Sequence, residues 1–554
     1  MEHLMSDLLL VSVDYGGYIS VVKLVIFLVL FFSWLPLLGW VYTDARAVET
    51  KEDKWTGIVL AAGAVGAIIW LLVPVFIVGM LLYIIAVGAA FISYITHRNA
   101  RVMDFDRVLT AEHIKGLLLR SEAKKLDALK SFLFISSNNN EIPVPQPRTP
   151  DFYGYKTAYD IFTDAIWRRA SAIVLSPMPQ NYSVTYQIDG TALKQPSIAK
   201  DEVQYFIRFV KNLADLDIKE KRKPQRGKFK IRQEKNNIEW EVTSAGSTVG
   251  EQIQIKRINQ KDVMKLADTG LMPEQLEQLS KIRQLKQGLF IISGPKKSGV
   301  TTTFYALIRS HDAFLNSINT LEKQPSVELP NITQNTFTLS DTGTTTYAKK
   351  LLSIIRMGPD VVGVADCENS ETAQVACMAA KDGKIVYVTL EADSVIQALG
   401  KWIKLVGDRE LAAETLLGIS NQRLLRKLCE ECKQGYNPNR ELLKKFNIPA
   451  EKAKVLYRPG KVQYDKHGKP ATCEHCQGTG FVGRMGVFEV IMLNDDLRKF
   501  VKESKSLSEI GTKFRRAKML YLQEQALRKV IAGKTAVNEM VRVFSTSKKK
   551  KPQQ

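Results

Sequence analysis

The stretch Gly294-Pro-Lys-Lys-Ser-Gly-Val-Thr301 decides the fold of this chain. Its glycines at the first and sixth positions and its threonine at the eighth match a phosphate-binding loop, whose backbone N–H groups wrap phosphates. Such a loop carries a lysine at its seventh position, where this chain has Val300, a neutral residue whose side chain donates no hydrogen bond. The apolar run 288–293 predicts a strand before the loop, and residues 302–308 predict a helix after it. A chance Gly/Ser loop remains the alternative at this point.

The charge and the first hundred residues indicate a membrane protein. The formal net charge of +21 over 554 residues suggests an anionic partner, either nucleic acid or a membrane surface. Two apolar runs, from Val21 to Val41 and from Ile58 to Ile95, favour the membrane. The second run has no charge and contains Pro74 near its middle, so it fits two short helices joined by a turn. We therefore expect three spans within residues 1–100, with two spans as the alternative.

The distribution of lysine and arginine predicts how these spans are oriented. No Lys or Arg precedes Lys23, whereas cations follow the first and third spans at Arg46, Lys51, Lys54, Arg98 and Arg101. Segments rich in Lys and Arg stay on the cytoplasmic side. We expect a multi-pass protein of the bacterial inner membrane, with its N-terminus outside and a large cytoplasmic part after the third span.

Four of the six cysteines form two C-x-x-C pairs, Cys429 with Cys432 and Cys473 with Cys476. Four thiolates in this arrangement suit a tetrahedral structural Zn²⁺ ion, and disulfides are rare in the cytoplasm. Redox pairs and unligated buried thiols are the alternatives. His475 is expected beside the site rather than as a ligand, and Cys367 and Cys377 are expected to be small buried residues.

The remaining patterns divide the chain further. Residues 103–133 have helical periodicity, 136–140 followed by four prolines predict a linker, and 158–169 and 182–188 predict a helix and a strand. After Gln287, apolar strands alternate with helical stretches, which is typical of a parallel α/β sheet. The predicted regions are a membrane region 1–100, a helical linker 101–152, a small α+β domain 153–265, a P-loop domain 266–428, a zinc subdomain 429–480, a helical C-terminal domain 481–545 and a basic tail 546–554.

The second cysteine pair lies in Cys473-Glu-His-Cys-Gln-Gly-Thr-Gly-Phe-Val-Gly-Arg-Met-Gly-Val-Phe-Glu489. Together with the altered phosphate loop, this stretch closely resembles the secretion ATPase family, the cytoplasmic hexameric motors of type II secretion and type IV pilus assembly. The resemblance runs from about Tyr155 to Phe544 and includes Arg356-Met-Gly-Pro-Asp360 and Gln422-Arg-Leu-Leu-Arg426. It implies an α/β protein with a small α+β domain, a RecA-like P-loop NTPase domain, a zinc-binding subdomain and a helical C-terminus.

The resemblance also implies which residues would handle a nucleotide. The family loop reads GPTGSGKTTT, and the corresponding residues here are Gly294, Lys296, Lys297, Ser298, Gly299, Val300, Thr301 and Thr302. The candidate catalytic residues are Glu322 of the acidic box and Asp366 of the Walker B segment. Asp366 is one methylene shorter than the family glutamate, and a displacement of about 1 Å can cost about a hundredfold in rate.

Five further positions depart from the family pattern, and all five change the charge. Lys323 stands at an aspartate position, Glu368 and Glu241 at arginine positions, Glu391 at a histidine position and Leu352 at another arginine position. A cation beside Glu322 would keep it ionised but remove an acidic charge near Mg²⁺. Lys296 or Lys297 could supply the missing loop cation, since a lysine stem is long and flexible.

These departures predict a catalytically degraded, membrane-anchored member of the family, acting as a scaffold or regulator in a type II secretion or type IV pilus-like machine. Zn²⁺ would be structural, and ATP and Mg²⁺ binding would be weak. The expected partners are the inner membrane, components of the machine, and a hexamer or a mixed oligomer with an active paralogue. The alternatives are an active ATPase with a relocated lysine and a membrane-tethered nucleic-acid binder. Nucleic acid is the less favoured partner, because the chain shows no helix-turn-helix and no aromatic–basic pattern.

Overall fold

The computed structural model describes residues 20–545, except 49, 103–106, 111–131, 147–148, 234–235, 259–263, 339–345, 447, 449–450, 452, 461–462 and 465–469. The chain divides into two compact units. The first contains residues 1–166, 172–186 and 194–258, and the second contains 167–171, 187–193 and 259–554.

Three helices of the first unit are long and apolar enough to cross a membrane: α1 Val21–Ala47, α2 Glu52–Leu72 and α3 Phe76–Asn99. The break between α2 and α3 falls at Pro74, as predicted, because proline has no N–H for the helix ladder. Helix α1 continues six residues beyond the predicted end at Val41, through residues 42–47, which include Asp44 and Arg46.

Small residues and one ion pair hold these helices together. A Cβ at Gly63 would lie 2.1 Å from the Trp34 ring, so only glycine lets α1 and α2 approach this closely. Near the C-terminal ends of α1 and α3, Asp44 Oδ2 accepts from Arg98 Nε at 2.7 Å and from the Tyr94 hydroxyl at 2.6 Å. The Asp44 and Arg98 side chains are fully buried, so these two helices end on the same side.

A nine-stranded sheet follows the helices. Its strands are β1 Phe132–Ile135, β2 Glu141–Ile142, β3 Ala172–Pro177, β4 Asn181–Ile188, β5 Thr191–Lys194, β6 Ile198–Ala199, β7 Gln225–Gln233, β8 Asn236–Gly246 and β9 Glu251–Ile258. The strand order is β2-β1-β7-β8-β9-β3-β4-β5, and β6 pairs with β4. Helices α4 Pro150–Trp167 and α5 Lys200–Leu213 accompany the sheet. Helix α4 begins eight residues earlier than predicted, whereas β4 matches the predicted strand closely.

Within the predicted linker 101–152, the structure differs from the prediction at residues 132–142. Strands β1 and β2 belong to the sheet, and 136–140 form the turn between them. Phe134 is fully buried and its ring meets Tyr155, Phe162 and Phe209 edge to face. An Asn-rich segment suits a tight turn as well as a linker, and only the buried aromatic side chains before it distinguish the two. Most of the helix expected over 103–133 lies outside the described residues.

The second unit is built on a seven-stranded sheet. Its strands are β10 Gly288–Gly294, β11 Ile318–Glu322, β12 Thr333–Thr336, β13 Val361–Val364, β14 Ile385–Glu391, β15 Leu416–Leu428 and β20 Phe481–Met492, in the order β12-β11-β13-β14-β10-β15-β20. In this order, every two neighbouring strands from β12 to β15 are parallel, and the last strand, β20, is antiparallel to β15. This confirms the predicted parallel sheet and the predicted strand before the phosphate loop.

Helices cover both faces of this sheet. They are α6 Pro273–Ser280, α7 Val300–Ile308, α8 Tyr347–Arg356, α9 Ser370–Lys381, α10 Val395–Val406 and α11 Arg409–Thr415, and short 3-10 turns lie at Leu266–Thr269 and Lys281–Gln284. The residues of β10 alternate between the two faces of the sheet. Leu289 and Ile291 lie in the buried cluster on one face, and Phe290 and Ile292 lie in the buried cluster on the other face. Both faces are therefore buried, as parallel sheets require.

The rest of the second unit contains small elements. Between β15 and β20 lie β16 Gln434–Tyr436, α12 Arg440–Lys445, β17 Leu456–Arg458, β18 Gln463–Tyr464 and β19 Pro470–Ala471. After β20 come α13 Asp495–Glu503, α14 Leu507–Arg516, α15 Leu522–Ile531 and α16 Val537–Ser545. The helical C-terminus is confirmed from Asp495 onward, as four helices in the described residues, whereas residues 481–492 of the predicted helical region 481–545 form strand β20 of the sheet. The tail 546–554 lies outside the described residues.

Candidate functional site

The phosphate loop is a tight turn with two residues in left-handed backbone conformations. Lys297 and Gly299 have left-handed φ angles of 67° and 87°. A Cβ at Gly294 would lie 2.3 Å from Ser298 Oγ and 2.8 Å from the Gln422 carbonyl oxygen, so only glycine fits there. The turn therefore closes tightly between β10 and the N-terminus of α7, which is a geometry suited to anions.

The side chains of the phosphate loop differ in their exposure to solvent. Ser298 is buried, and its hydroxyl has no hydrogen-bond partner among the described residues. Its carbonyl oxygen accepts from Gln422 Nε2 at 3.1 Å. The loop side chains that face solvent are Lys296, Lys297, Thr301 and Thr302. Val300 is only partly exposed and packs against the buried cluster that contains Phe290, so this side chain contributes packing and no charge.

Glu322 lies at the end of β11 and is almost completely buried. Its Oε2 accepts from the Tyr305 hydroxyl at 2.6 Å, while Oε1 accepts from Thr320 Oγ1 at 2.8 Å and from Gln334 Nε2 at 3.1 Å. Burial and the bond to Glu322 raise the pKa of Tyr305, so this hydroxyl stays a donor. No motif spacing in the sequence marks Tyr305, Thr320 or Gln334 as neighbours of Glu322.

Asp366 is exposed and occupies a left-handed backbone position, with φ of 53°. Its backbone N–H donates to Thr389 Oγ1 at 2.8 Å, which holds the loop after β13 against β14. Partial desolvation raises the pKa of Asp366, Lys323 opposes this increase, and Glu368 and Glu322 add to it. Glu322 and Asp366 thus belong to one electrostatic group, but only Asp366 faces solvent.

The reversed charges have local partners. Lys323 Nζ lies 2.8 Å from Glu368 Oε2, so the two reversals predicted separately from the sequence form one ion pair. In the first unit, Glu241 on β8 pairs with Arg226 Nη2 at 2.6 Å. Leu352 is partly exposed on α8. Each of the two glutamates that stand at family arginine positions is therefore neutralised by a cation close to it.

Glu391 ends β14 directly opposite Gly294 in the strand register. It lines an open cleft of about 300 Å³ together with Pro295, Ala392, Asp393, Gln397 and Lys401. The Glu391 side chain is exposed, and Lys401 Nζ donates to its backbone carbonyl oxygen rather than to its carboxylate, at 3.3 Å. A carboxylate beside the phosphate loop disfavours phosphate binding, because like charges repel.

The four predicted zinc ligands come together at the base of the β15–β20 hairpin. The sulfur atoms of Cys429, Cys432, Cys473 and Cys476 all lie within 4.8 Å of one another. Cys429 Sγ is 3.9 Å from Cys473 Sγ, and Cys432 Sγ is 3.6 Å from Cys476 Sγ. Sulfurs on a tetrahedral Zn²⁺ at 2.3 Å are separated by about 3.8 Å. The donor set therefore fits zinc in both chemistry and spacing.

The surroundings of the cysteines support this assignment. The Gly480 N–H donates to Cys476 Sγ at 3.3 Å, as expected for a thiolate. Burial raises the pKa of the Cys432 thiol, so a bound cation is what would keep this thiol deprotonated. His475 is half-exposed and its Nδ1 lies 3.9 Å from Glu431 Oε1, outside the sulfur cluster. Cys367 and Cys377 are buried, as predicted.

Comparison with known proteins identifies the family. The family described as "Type II/IV secretion system protein" matches residues 155–542. The chain is 30% identical over 385 residues to type II secretion system protein E of Dickeya dadantii, covering 69% of this chain and 74% of that protein. It is 27% identical over 403 residues to the type IV pilus assembly ATPase PilB of Thermus thermophilus, covering 72% of this chain and 44% of that protein.

A solved structure shares the fold. The ATPase DotB of Legionella pneumophila superimposes with a TM-score of 0.50 at 15% identity, over 70% of this chain and 96% of that one. The family match covers well over half of the chain, and its phosphate loop, parallel sheet and cysteine cluster lie inside that match. This chain is therefore a member of the type II/IV secretion system protein family, with the fold of the secretion ATPases.

Proposed function

We propose that this chain is a membrane-anchored member of the secretion ATPase family that no longer hydrolyses ATP and instead acts as a scaffold or regulator of a type II secretion or type IV pilus-like machine. The observation that carries the proposal is the state of the candidate catalytic carboxylate. Glu322 is buried and its two oxygens already accept three hydrogen bonds from protein side chains.

Phosphoryl transfer needs charge stabilisation on the phosphates and an oriented water. In this chain Val300 supplies no cation to the phosphates, and Glu391 adds a negative charge beside them. A carboxylate has about four acceptor sites, and Glu322 has committed three of them to the protein. Losing one preorganised charged contact typically costs about 3 kcal/mol in the barrier. Several losses in one site make hydrolysis very slow.

The residues of this chain suit some of the cofactors expected for the family better than others. The four sulfurs fit Zn²⁺, which would stabilise the base of the β15–β20 hairpin. The loop backbone fits a phosphate group, with Lys296 and Lys297 as the nearest exposed cations of the loop. Mg²⁺ fits poorly, because Lys323 stands beside the carboxylates that a divalent cation would need.

The membrane assignment rests on α1, α2 and α3. The Asp44–Arg98 pair places the C-terminal ends of α1 and α3 on one side, and Arg46, Arg98 and Arg101 lie at or after those ends. We infer that this side is the cytoplasm of a bacterial cell. The domain boundaries at 266, 429 and 481, association with machine components, and a hexamer or mixed oligomer with an active paralogue are parts of the same proposal.

The proposal is tested by measuring ATP turnover on the full chain, solubilised with zinc bound. We expect phosphate release no faster than in buffer. The Lys281→Ala variant is the control, because it removes an exposed lysine elsewhere in the second unit. Turnover by the unaltered chain that disappears in Lys296→Ala or Lys297→Ala, but not in Lys281→Ala, would replace the proposal with an active ATPase that uses a relocated lysine.

A further inference from the structure

Lys323 and Glu368 meet at the edge of the sheet from which the phosphate loop also departs. Lys323 directly follows β11, and Glu368 lies in the loop after β13. The two strands are parallel neighbours with Leu321 opposite Val364, so their C-terminal ends coincide. Strand β10 is parallel to them across β14 and ends at the phosphate loop. The ion pair therefore belongs to the edge where the α/β fold binds its ligands.

Stability does not explain this pair. The Lys323 side chain is 49% exposed and the Glu368 side chain 69% exposed. Ion pairs at this exposure contribute little to folding, because water screens them. The pair has no net charge, so its consequence is the position in which it holds the Lys323 ammonium group, at the ligand-binding edge of the sheet.

Among Glu322, Asp366 and Glu368, only Asp366 is both exposed and outside the ion pair with Lys323, and the Lys323 cation lies close enough to act on it. Mg²⁺ requires oxygen ligands at a near-octahedral arrangement, usually one or two carboxylates together with phosphates and water. Glu368 is engaged by Lys323, and Glu322 is engaged by Tyr305, Thr320 and Gln334. A second cation would also be repelled by Lys323 at short range.

We propose that Lys323 is the resident cation of this site, so that a nucleoside diphosphate or triphosphate binds without Mg²⁺. The inference rests on the proposed function, which places a nucleotide at the phosphate loop but without hydrolysis. The phosphates meet the N-terminus of α7, the loop N–H groups and the cations of Lys296 and Lys297, while Lys323 takes over the electrostatic part of the metal.

The test measures the affinity of a fluorescent ADP for the zinc-loaded full chain, once in EDTA and once in Mg²⁺. We expect the two dissociation constants of the unaltered protein to agree within about twofold. Lys323→Met weakens binding in EDTA, and Mg²⁺ restores part of the loss, because Glu368 is released. Lys323→Arg keeps the charge and keeps binding independent of Mg²⁺.

Two further variants serve as a control and as an independent test. Lys281→Met breaks an exposed lysine–glutamate pair of the same 2.8 Å length, with Glu277, and should change nothing. Glu368→Gln leaves Lys323 without its partner carboxylate, so ADP should bind more tightly in EDTA. If Lys323→Met fails to fold, Glu368→Gln still tests the inference, because it is expected to raise the affinity for ADP rather than to lower it.

Three outcomes would overturn the inference: ADP binding that requires Mg²⁺, no ADP binding in either condition, or identical binding by Lys323→Met and the unaltered chain in EDTA. These differ from failure of the proposed function. ATP turnover by the unaltered chain refutes the loss of hydrolysis whatever the metal test shows, whereas Mg²⁺-dependent binding without turnover refutes only the role of Lys323.

Discussion

The Tyr305 hydroxyl donates to Glu322 Oε2 over 2.6 Å, joining the first helix after the phosphate loop to the end of β11. The same hydroxyl accepts from the Ser326 N–H at 3.0 Å, so it also fixes the loop that follows Lys323. Glu322 is thereby part of the packed structure of the sheet edge. The hydrogen bond between Tyr305 and Glu322 therefore helps to fix the loop after β11, and with it the shape of the candidate site.

Tyr305→Phe is expected to lower the free energy of unfolding by about 1–2 kcal/mol, because a buried carboxylate loses a donor and the Ser326 N–H loses its acceptor. Chemical denaturation of the second unit, with hydrogen exchange of β11 amides as a local readout, measures the loss. Tyr521→Phe, at a side chain that is 40% exposed, is the control. Equal stability of both variants would show that the Tyr305 bond contributes nothing.

Val300→Lys alone is expected not to restore ATP turnover. The change supplies a cation to the phosphates but leaves Glu322 bound to its three donors and Glu391 beside the loop. It also removes the packing of Val300 against the core, so a small loss of stability accompanies it. Phosphate release measured against Val300→Met, which keeps the packing without the charge, isolates the effect of the lysine. A clear gain in turnover only in Val300→Lys contradicts this expectation.

One Zn²⁺ ion per chain is expected at the four-cysteine cluster. Cys473→Ser should release the metal and loosen the base of the β15–β20 hairpin, since a structural zinc contributes folding energy directly. Elemental analysis of the purified protein and hydrogen exchange of Leu428 and Phe481, which pair across the hairpin next to the cluster, measure both effects. Cys377→Ala, in the buried core, should retain the metal. A metal-free protein with four freely reactive thiols at the cluster would refute the site.

Gly63→Leu is expected to disrupt the packing of α1 against α2. A Cβ at Gly63 would lie 2.1 Å from the Trp34 ring, whereas a Cβ at Gly57, in the same helix, meets nothing within 4 Å. Overpacking of this kind typically costs about 1–3 kcal/mol. Thermal aggregation of the detergent-solubilised protein, compared with the matched Gly57→Leu variant, measures the cost. Similar melting of the two variants would mean that the described contact does not hold the helices together.

The C-terminal helix α16 is expected to detach in acid. The Glu539 side chain is fully buried; burial raises its pKa, but hydrogen bonds from Arg542 and Arg426 outweigh this and lower the pKa to about 2. A carboxylate with a lowered folded-state pKa stabilises above its unfolded pKa of about 4.3, and this stabilisation is lost as pH falls from there towards 2.

This loss amounts to about 2–3 kcal/mol. Hydrogen exchange of α16 amides as a function of pH measures it, and Glu539→Gln should flatten the pH dependence while weakening α16 at neutral pH. Glu503→Gln, at an exposed position of α13, is the control. A pH profile unchanged by Glu539→Gln would place the acid sensitivity elsewhere.

Short-range patterns predicted several features of the fold and of the candidate site. The glycines of the phosphate loop, the cysteine pairs and the break at Pro74 each depend on neighbouring residues, and the structure has all of them where the sequence indicated. The Ser136–Asn140 segment was misjudged because turns and linkers share the same polar residues. Its role depends on Phe134 being buried by residues from distant parts of the sequence, which local composition does not reveal.

The sequence alone did not predict which distant residues contact each other. Lys323 and Glu368 are 45 residues apart, and each was interpreted as a separate loss. Their contact follows from the strand order, which places β11 beside β13, and a single sequence does not fix that order. The donors around Glu322 were missed for the same reason, because Tyr305 and Gln334 reach it from a helix and from the neighbouring strand.

The cysteine cluster closes the hairpin of β15 and β20 around forty residues, 433–472. Because four sulfurs and the strand pairing already fix both ends, the entropy of closing that segment grows only logarithmically with its length. A longer connection would therefore cost little entropy at those residues of the segment that do not pack against the hairpin. Ile448, Ala453 and Leu456 belong instead to the buried cluster that contains Leu425 of β15 and Val487 of β20, so a change there would disturb the hairpin itself.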